Sequence, residues 1–291
     1  MTMTPPGQLL RSISDTACLV AYHRFMESER PDAIFRDRHA GLLAGGLGER
    51  IAQTLRWGRR GAWSTIVRTA LFDELISRLL ADGQTDVVLN LAAGLDTRPY
   101  RMRLPASIRW VDADLPEILA YKAEKLAGET ANCTLEQAAV DLAKEADRRA
   151  LLARVNDAAR RVLVLSEGLL IYLAPEQVGA LAADLRSQSR FVYWIIDLVA
   201  PMVLRRMNQM LGKALTAAGA KVQFGPPEGT AFFAPFGWRE SEFHDLVVES
   251  RRLRRPMPFD ALLRIQKRLF PRLFEKRYAS WRSGVVLLAP M

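Results

Sequence analysis

A chain of 291 residues with 49% hydrophobic side chains can build one large core, which excludes general disorder. Its longest apolar runs, such as Val162 to Leu165, fall far short of the roughly 20 residues that span a bilayer, and MTMTPPGQLL lacks the basic start of a secretory signal, so the expected compartment is the cytoplasm. The formal net charge of +9 invites a nucleic-acid partner, but the cations are spread along the chain and their densest group, Arg251, Arg252, Arg254 and Arg255, reads as a solvated helix face, so neither nucleic acid nor membrane is an expected partner.

The first 82 residues read as a helical cap. Apolar residues recur at three- and four-residue steps from Ser14 to Leu47, interrupted at Pro31, and a further helix is predicted from Trp63 to Leu80. Residues 83–291 change period. Val87 to Leu91, Ile108 to Asp112, Thr134 to Ala139, Arg161 to Leu165 and Phe191 to Ile196 read as strands with helical stretches between most of them, Pro116 and Pro175 opening two of the helices. That alternation predicts a Rossmann-like α/β fold, a doubly wound and mainly parallel sheet. Later, Val203 to Gly219 and Glu240 to Arg252 read as helices, Gly225 to Gly229 as a turn, and Gly284 to Leu288 as an antiparallel edge strand.

The stretch VVLNLAAGLDTRPYR, Val87 to Arg101, carries the strongest functional signal. An apolar strand empties into Ala92, Ala93 and Gly94, whose small side chains allow a ligand close to the backbone. The second strand ends in Asp112 and Asp114, about 20 residues beyond that turn, where nucleotide-binding sheets place the acid that holds a ribose diol. The third ends in Val140, Asp141 and Leu142, a carboxylate beside apolar surface that suits adenine, and the fourth in Ser166, Glu167 and Gly168. The turn lacks the dinucleotide GxGxxG pattern, and the early Asp96 would repel a pyrophosphate while tolerating a cationic ligand, which favours S-adenosylmethionine over NAD.

The runs NLAAGLDTRPYRM, WVDADLPEILAYKAEKL and VLSEGLLIYLAPEQV resemble the leucine carboxyl methyltransferase superfamily, in its bacterial small-molecule O-methyltransferase branch. The likeness extends from about Ser14 to Leu185. It implies a class I methyltransferase whose N-terminal helices fold over S-adenosylmethionine. In that likeness Arg68 pairs with the methionine carboxylate, Ala92 and Gly94 line the cofactor, and Asp114 holds the ribose, with Asp112 the competing candidate. Asp141 and Leu142 would contact adenine, and Glu167 the amino group or reaction centre. Ala92 stands where many members carry glycine, a methyl that a strand-to-helix turn should tolerate. Asp96 and Arg98 are expected to pair and fix the turn.

A carboxylate acceptor needs no general base. A phenol or alcohol would need one, with His23, Tyr22, Tyr100 and Tyr172 as candidates ahead of His39 and His244. The acceptor, expected to be a small-molecule acid, would sit between the N-terminal helices and an insertion around residues 197–240, with Met202, Met207, Met210, Phe232, Phe233, Phe236 and Trp238 as its lining or as ordinary core. No metal is expected, because Cys18 and Cys133 lie far apart and the three histidines are scattered. Oligomeric state is not legible. The rival readings are a nucleic-acid methyltransferase, a protein-carboxyl methyltransferase and a cofactor-binding protein without catalysis.

Overall fold

The computed structural model describes residues 13–54, 60–217, 221–272, 278 and 281–291. The reading of the N-terminus as lacking a signal, and the last residues of the helix predicted to Gly219, lie outside them.

Two helices, α1 (Ile13–Ser28) and α2 (Ala40–Thr54), pack on each other and are followed by α3 (Ala62–Ala81). The chain then alternates through β1 (Val87–Leu91), the single turn α4 (Arg98–Arg101), β2 (Arg109–Asp114), α5 (Pro116–Lys125), β3 (Thr134–Ala139), α6 (Glu145–Asp157), β4 (Val162–Ser166), α7 (Pro175–Arg186) and β5 (Phe191–Leu198). After α8 (Pro201–Ala217) come β6 (Trp238–Asp245), α9 (Leu246–Arg252), α10 (Asp260–Leu269) and β7 (Gly284–Pro290). Proline opens α5 and α7, where its missing N–H costs nothing and its fixed φ suits a first helical turn.

The seven strands form one sheet in the order β3-β2-β1-β4-β5-β7-β6. The first five are parallel, and β7 runs antiparallel to both β5 and β6. Side chains alternate between two covered faces. Leu89, Leu91, Val164 and Ile196 meet Leu152, Leu181 and Leu185 of α6 and α7, while Val88, Leu163, Leu165 and Ile195 meet Phe72, Leu75 and Ile76 of α3. Burial on both faces is why β1, β4 and β5 read as nearly continuous apolar runs, whereas the edge strand β3, TLEQAA, has no buried residue.

Three expectations are corrected here. Residues 240–245 are not helical: they continue β6, and the helix starts only at Leu246, where the Asp245 side chain accepts from the amides of Val247 and Val248. The closing strand β7 is internal, and β6 is the antiparallel edge. The arginine cluster is only in part a solvated face: Arg252 and Arg254 are exposed, Arg252 pairing with Glu74, whereas Arg251 pairs with Asp260 and the buried Arg255 with the buried Glu27.

The α1–α2 pair sits against the loop after β1, with Cys18, Ala21 and Leu43 packed against Leu95 and Ile118. Gly48 permits the close approach, because a Cβ there would lie 2.4 Å from the Cys18 carbonyl oxygen. The helical block is thereby set over the carboxyl ends of β1 and β2, and strand order reverses between β1 and β4, the place where such sheets bind ligands.

Candidate active site

A cavity of about 1480 Å³ opens at these strand ends, bounded by α1, the start of α3, the loops after β1 to β5, α8, the stretch from Met257 to Phe270, and Tyr278, Trp281 and Ser283. Sites for a single small ligand usually occupy about 300–1,000 Å³. This one has room for two.

The turn after β1 is built on two left-handed residues, Ala92 at φ 53° and Gly94 at φ 52°. A methyl at Ala92 therefore carries a cost of about 1 kcal/mol that glycine would escape, contrary to the expectation of easy tolerance. The turn aims the Gly94 amide at Asp114, which accepts it on Oδ2 at 2.6 Å and the Leu115 amide on Oδ1 at 2.7 Å. An ionised carboxylate has about four acceptor positions, so two remain for hydroxyls. Burial pushes the Asp114 carboxyl above its ordinary value, against the two amides that favour its charge.

Asp112 has no such freedom. It is fully buried, 2.7 Å from the equally buried Lys122 Nζ, and accepts from Trp110 Nε1 at 2.8 Å and Asn90 Nδ2 at 3.1 Å. Of the two carboxylates only Asp114 borders the cavity. Val140, Asp141, Leu142 and Ala143 form a neighbouring stretch of wall, with Leu115 and Ile118 also on the lining. Asp141 accepts the Ala143 amide at 3.0 Å.

Beside the β1 and β4 ends lies a ladder of alternating charge. Glu167 accepts from Arg68 Nε at 3.0 Å through Oε1, and its Oε2 is 2.7 Å from Arg98 Nη2. Arg68 also donates from Nη1 to Asp197 at 3.0 Å, and Asp197 takes the Gly168 amide at 2.7 Å. Arg98 meets Asp96 and Asp73 at 2.7 Å each, and Arg101 closes on Asp73. Burial alone would raise the Glu167 carboxyl, but Arg98 and Arg68 outweigh it and hold the group below its ordinary value. Asp96 is lowered likewise, by Arg98 and Lys122 against its own burial.

The expected Asp96–Arg98 pair is thus present, and its consequence differs from the expectation. Neutralised by Arg98 and bonded by Asn90 Nδ2 at 3.1 Å, Asp96 repels a pyrophosphate less than the bare sequence implies. In the whole ladder the four carboxylates Asp73, Asp96, Glu167 and Asp197 exceed the three guanidiniums Arg68, Arg98 and Arg101 by one charge. S-adenosylmethionine carries a sulfonium, an ammonium and a carboxylate, a net charge of one positive. The donor set fits it.

Of the base candidates, His23 and Tyr172 border the cavity and Tyr22 and Tyr100 do not. Tyr22 faces a second, smaller cavity beside Phe25 and Leu42, and His244 is bonded to Glu242 on β6. His23 is buried with Nδ1 3.1 Å from Thr65 Oγ1. Burial pushes the Tyr172 phenol above its ordinary value. Met207 and Met210 line the cavity, whereas Phe232, Phe233, Phe236 and Trp238 belong to the core on Trp194 and Phe224. Asn90 and Asp197, both on the wall, went unread in the sequence. Asn90 was marked by an amide inside an all-buried strand, and Asp197 by an acid at the end of an apolar one.

Residues 17–186 match the family model of leucine carboxyl methyltransferase. The chain belongs to the leucine carboxyl methyltransferase family. It is an S-adenosylmethionine-dependent methyltransferase. A Streptomyces coelicolor protein named "Putative S-adenosyl-L-methionine-dependent methyltransferase" is 35% identical over 255 residues, 83% of this chain and 88% of that one. A protein of the same name from Mycolicibacterium paratuberculosis is 33% identical over 284 residues, 85% and 86% of the two chains. Among solved structures, a "putative methyltransferase" from Thermobifida fusca superposes with a TM-score of 0.60 at 15% identity, covering 100% of this chain and 99% of that one. A DUF574 family protein from Streptomyces avermitilis gives 0.58 at 10% identity, covering 95% and 97%. These two likenesses support the Rossmann-like fold of the methyltransferase.

Proposed function

We propose that the methyltransferase transfers a methyl group to an oxygen of a small, largely apolar acid, with the carboxylate as acceptor. The observation that carries this reading is a single chamber in which the Ala92–Gly94 turn, Asp114, Asp141 and the Arg68–Glu167–Asp197 ladder converge, with further space between α8 and α10. In this reading Asp114 binds the ribose hydroxyls, Asp141 and Leu142 the adenine, and Arg68 the methionine carboxylate through N–H groups that Glu167 and Asp197 orient. Glu167 and Asp197 also face the ammonium. The helical block of residues 1–82 acts as a cap over this cofactor, and part of the 197–240 insertion lines the acceptor space.

The cofactor supplies an electrophilic methyl on a positively charged sulfur, with a neutral thioether as leaving group. The protein's task is alignment, since holding nucleophile and methyl in line at contact distance removes several kcal/mol from the barrier. A carboxylate is already ionised at neutral pH, and the raised phenol of Tyr172 is a poor base there, which favours an acid over an alcohol. His23 on the cavity wall supports the second reading, a phenol deprotonated by that imidazole.

Titration with S-adenosylhomocysteine tests the cofactor assignments. Arg68→Ala should weaken binding about 10- to 100-fold, the worth of a charge-assisted hydrogen bond of about 1.5–3 kcal/mol. Wild-type affinity in the variant would sink the assignment of Arg68. A panel of apolar acids and matched phenols, followed by transfer of labelled methyl, separates the two acceptors: ester products with His23→Ala still active support the acid, and ether products lost with His23→Ala overturn it.

A further inference from the structure

Helix α10 is amphipathic and almost bare. Asp260 is its one buried residue, while Leu262, Ile265 and Leu269 are 52%, 54% and 63% exposed and the flanking Phe259 and Phe270 are 68% and 60% exposed. At about 100° per residue these apolar side chains, with Leu263, fall in one arc of roughly 160°. Arg264, Lys267 and Arg268 occupy the opposite side, and Arg272 follows just beyond, all of them exposed.

The cations here are handled unlike those nearby. Arg251, Arg252 and Arg255 each have carboxylate partners, and Arg264 reaches Asp260 at 3.5 Å. Lys267, Arg268 and Arg272 have no carboxylate within ion-pair reach among the described residues. Exposed hydrophobic surface beside unpaired positive charge calls for an occupant that is apolar in its interior and anionic at its surface.

The two parts of the apolar arc distinguish the possible occupants. Phe259, Leu262, Leu263 and Phe270 border the mouth of the chamber, but Ile265 and Leu269 do not. A lid that merely closed on the chamber would bury the first group and leave the second in water. A second copy would bring another molecule of charge +9, and its own unpaired cations, against the same surface. Neither answers both the apolar arc and the charge.

We propose that α10 lies in the interface of an anionic lipid bilayer, its apolar arc among the acyl chains and Lys267, Arg268 and Arg272 among the headgroups. Such helices combine an aliphatic and aromatic face with a basic one, and anionic lipid attracts each nearby cation. No described helix is long and apolar enough to cross a membrane, and an interfacial helix needs no spanning segment, but docking on lipid departs from the expectation of no membrane partner. The mouth of the chamber then opens beside the lipid. Docking does not depend on the reaction assigned above.

The test is sedimentation of the full chain with vesicles of phosphatidylcholine alone or with about one third phosphatidylglycerol. Binding should be at least about tenfold tighter to the anionic vesicles and weaken with added salt. Leu269→Asp and Ile265→Asp should each reduce it about tenfold, while S-adenosylhomocysteine binding and melting temperature stay at wild-type values. Equal binding to both vesicles overturns the proposal, as does binding indifferent to Leu269→Asp, which marks general electrostatic adhesion. So does a concentration-dependent dimer by light scattering that Leu269→Asp dissolves without any vesicle binding.

Discussion

Asp114 is the carboxylate that the proposed function sets on the ribose, and its charge is held at the expense of the fold. Burial raises it above its ordinary value of 3.8, so the folded protein disfavours its charge, and that cost is relieved as the pH falls through the raised value. Asp114→Asn relieves the burial cost of the charge but keeps one acceptor for the two amides of Gly94 and Leu115, so the melting temperature should change little, while S-adenosylhomocysteine binding weakens about 10- to 100-fold, the loss of charge-assisted bonds to the ribose. Wild-type affinity should decline on acidification starting above pH 3.8, and this part of the decline should vanish in the variant. Calorimetric titration across that range decides it: the same pH dependence in both proteins would remove Asp114 from the ribose. Asp112 is the opposite case. Its bonds to Lys122, Trp110 and Asn90 leave it structural, a distinction that the sequence, with both acids at the end of one strand, could not draw.

The elements meet at Asp37, which holds the helical block to the β1 turn. It pairs with Arg24 at 2.8 Å and accepts from Thr97 Oγ1 at 2.6 Å, while Arg24 also donates to the Leu95 carbonyl at 2.6 Å. Asp37→Ala strands buried cations and should cost about 3–5 kcal/mol in chemical denaturation. Because α1 forms part of the cavity wall, cofactor affinity should fall with it; a loss below about 1 kcal/mol would show the tie to be incidental. β1, β4 and β5 were legible because burial on both faces makes each a nearly continuous apolar run, and proline marked the starts of α5 and α7. β6 was not. Its outer position leaves Arg239, Glu240 and Ser241 exposed in a row, which breaks the two-residue alternation of a strand. The aromatic group of Phe232 to Trp238 was placed partly at the acceptor because spacing does not tell which sheet face a residue joins. Pairings such as Arg68 with Asp197 span 129 positions and leave no local trace.

Among the described residues a set of carboxylates is held in buried or half-buried pairs, which makes acid an agent that undoes the fold. In Asp37, Asp86, Asp96, Glu136, Glu167 and Glu242 burial would raise the carboxyl, but guanidinium or amide partners outweigh it and hold each below its ordinary value of 3.8 or 4.5. A carboxylate with a lowered folded value binds its proton first in the unfolded chain. Its contribution is complete above the ordinary value and is lost as pH falls through the lowered one. Asp114 acts in the opposite direction and offsets a part. Stability should therefore be level between about pH 7 and 8, slip below about pH 6.5 as the unfolded chain protonates His39, whose burial holds its imidazole below the ordinary value, and decline steeply below about pH 4, by about 1.4 kcal/mol per pH unit for each net proton taken up on unfolding. Scanning calorimetry as a function of pH measures this, and a melting temperature unchanged down to about pH 3 would overturn it. Salt distinguishes the source of the loss. Pairs such as Arg98 with Asp96 and Arg24 with Asp37 are shielded from solvent ions, so raising ionic strength at neutral pH should barely shift the melting temperature, whereas a fold held by exposed pairs would soften.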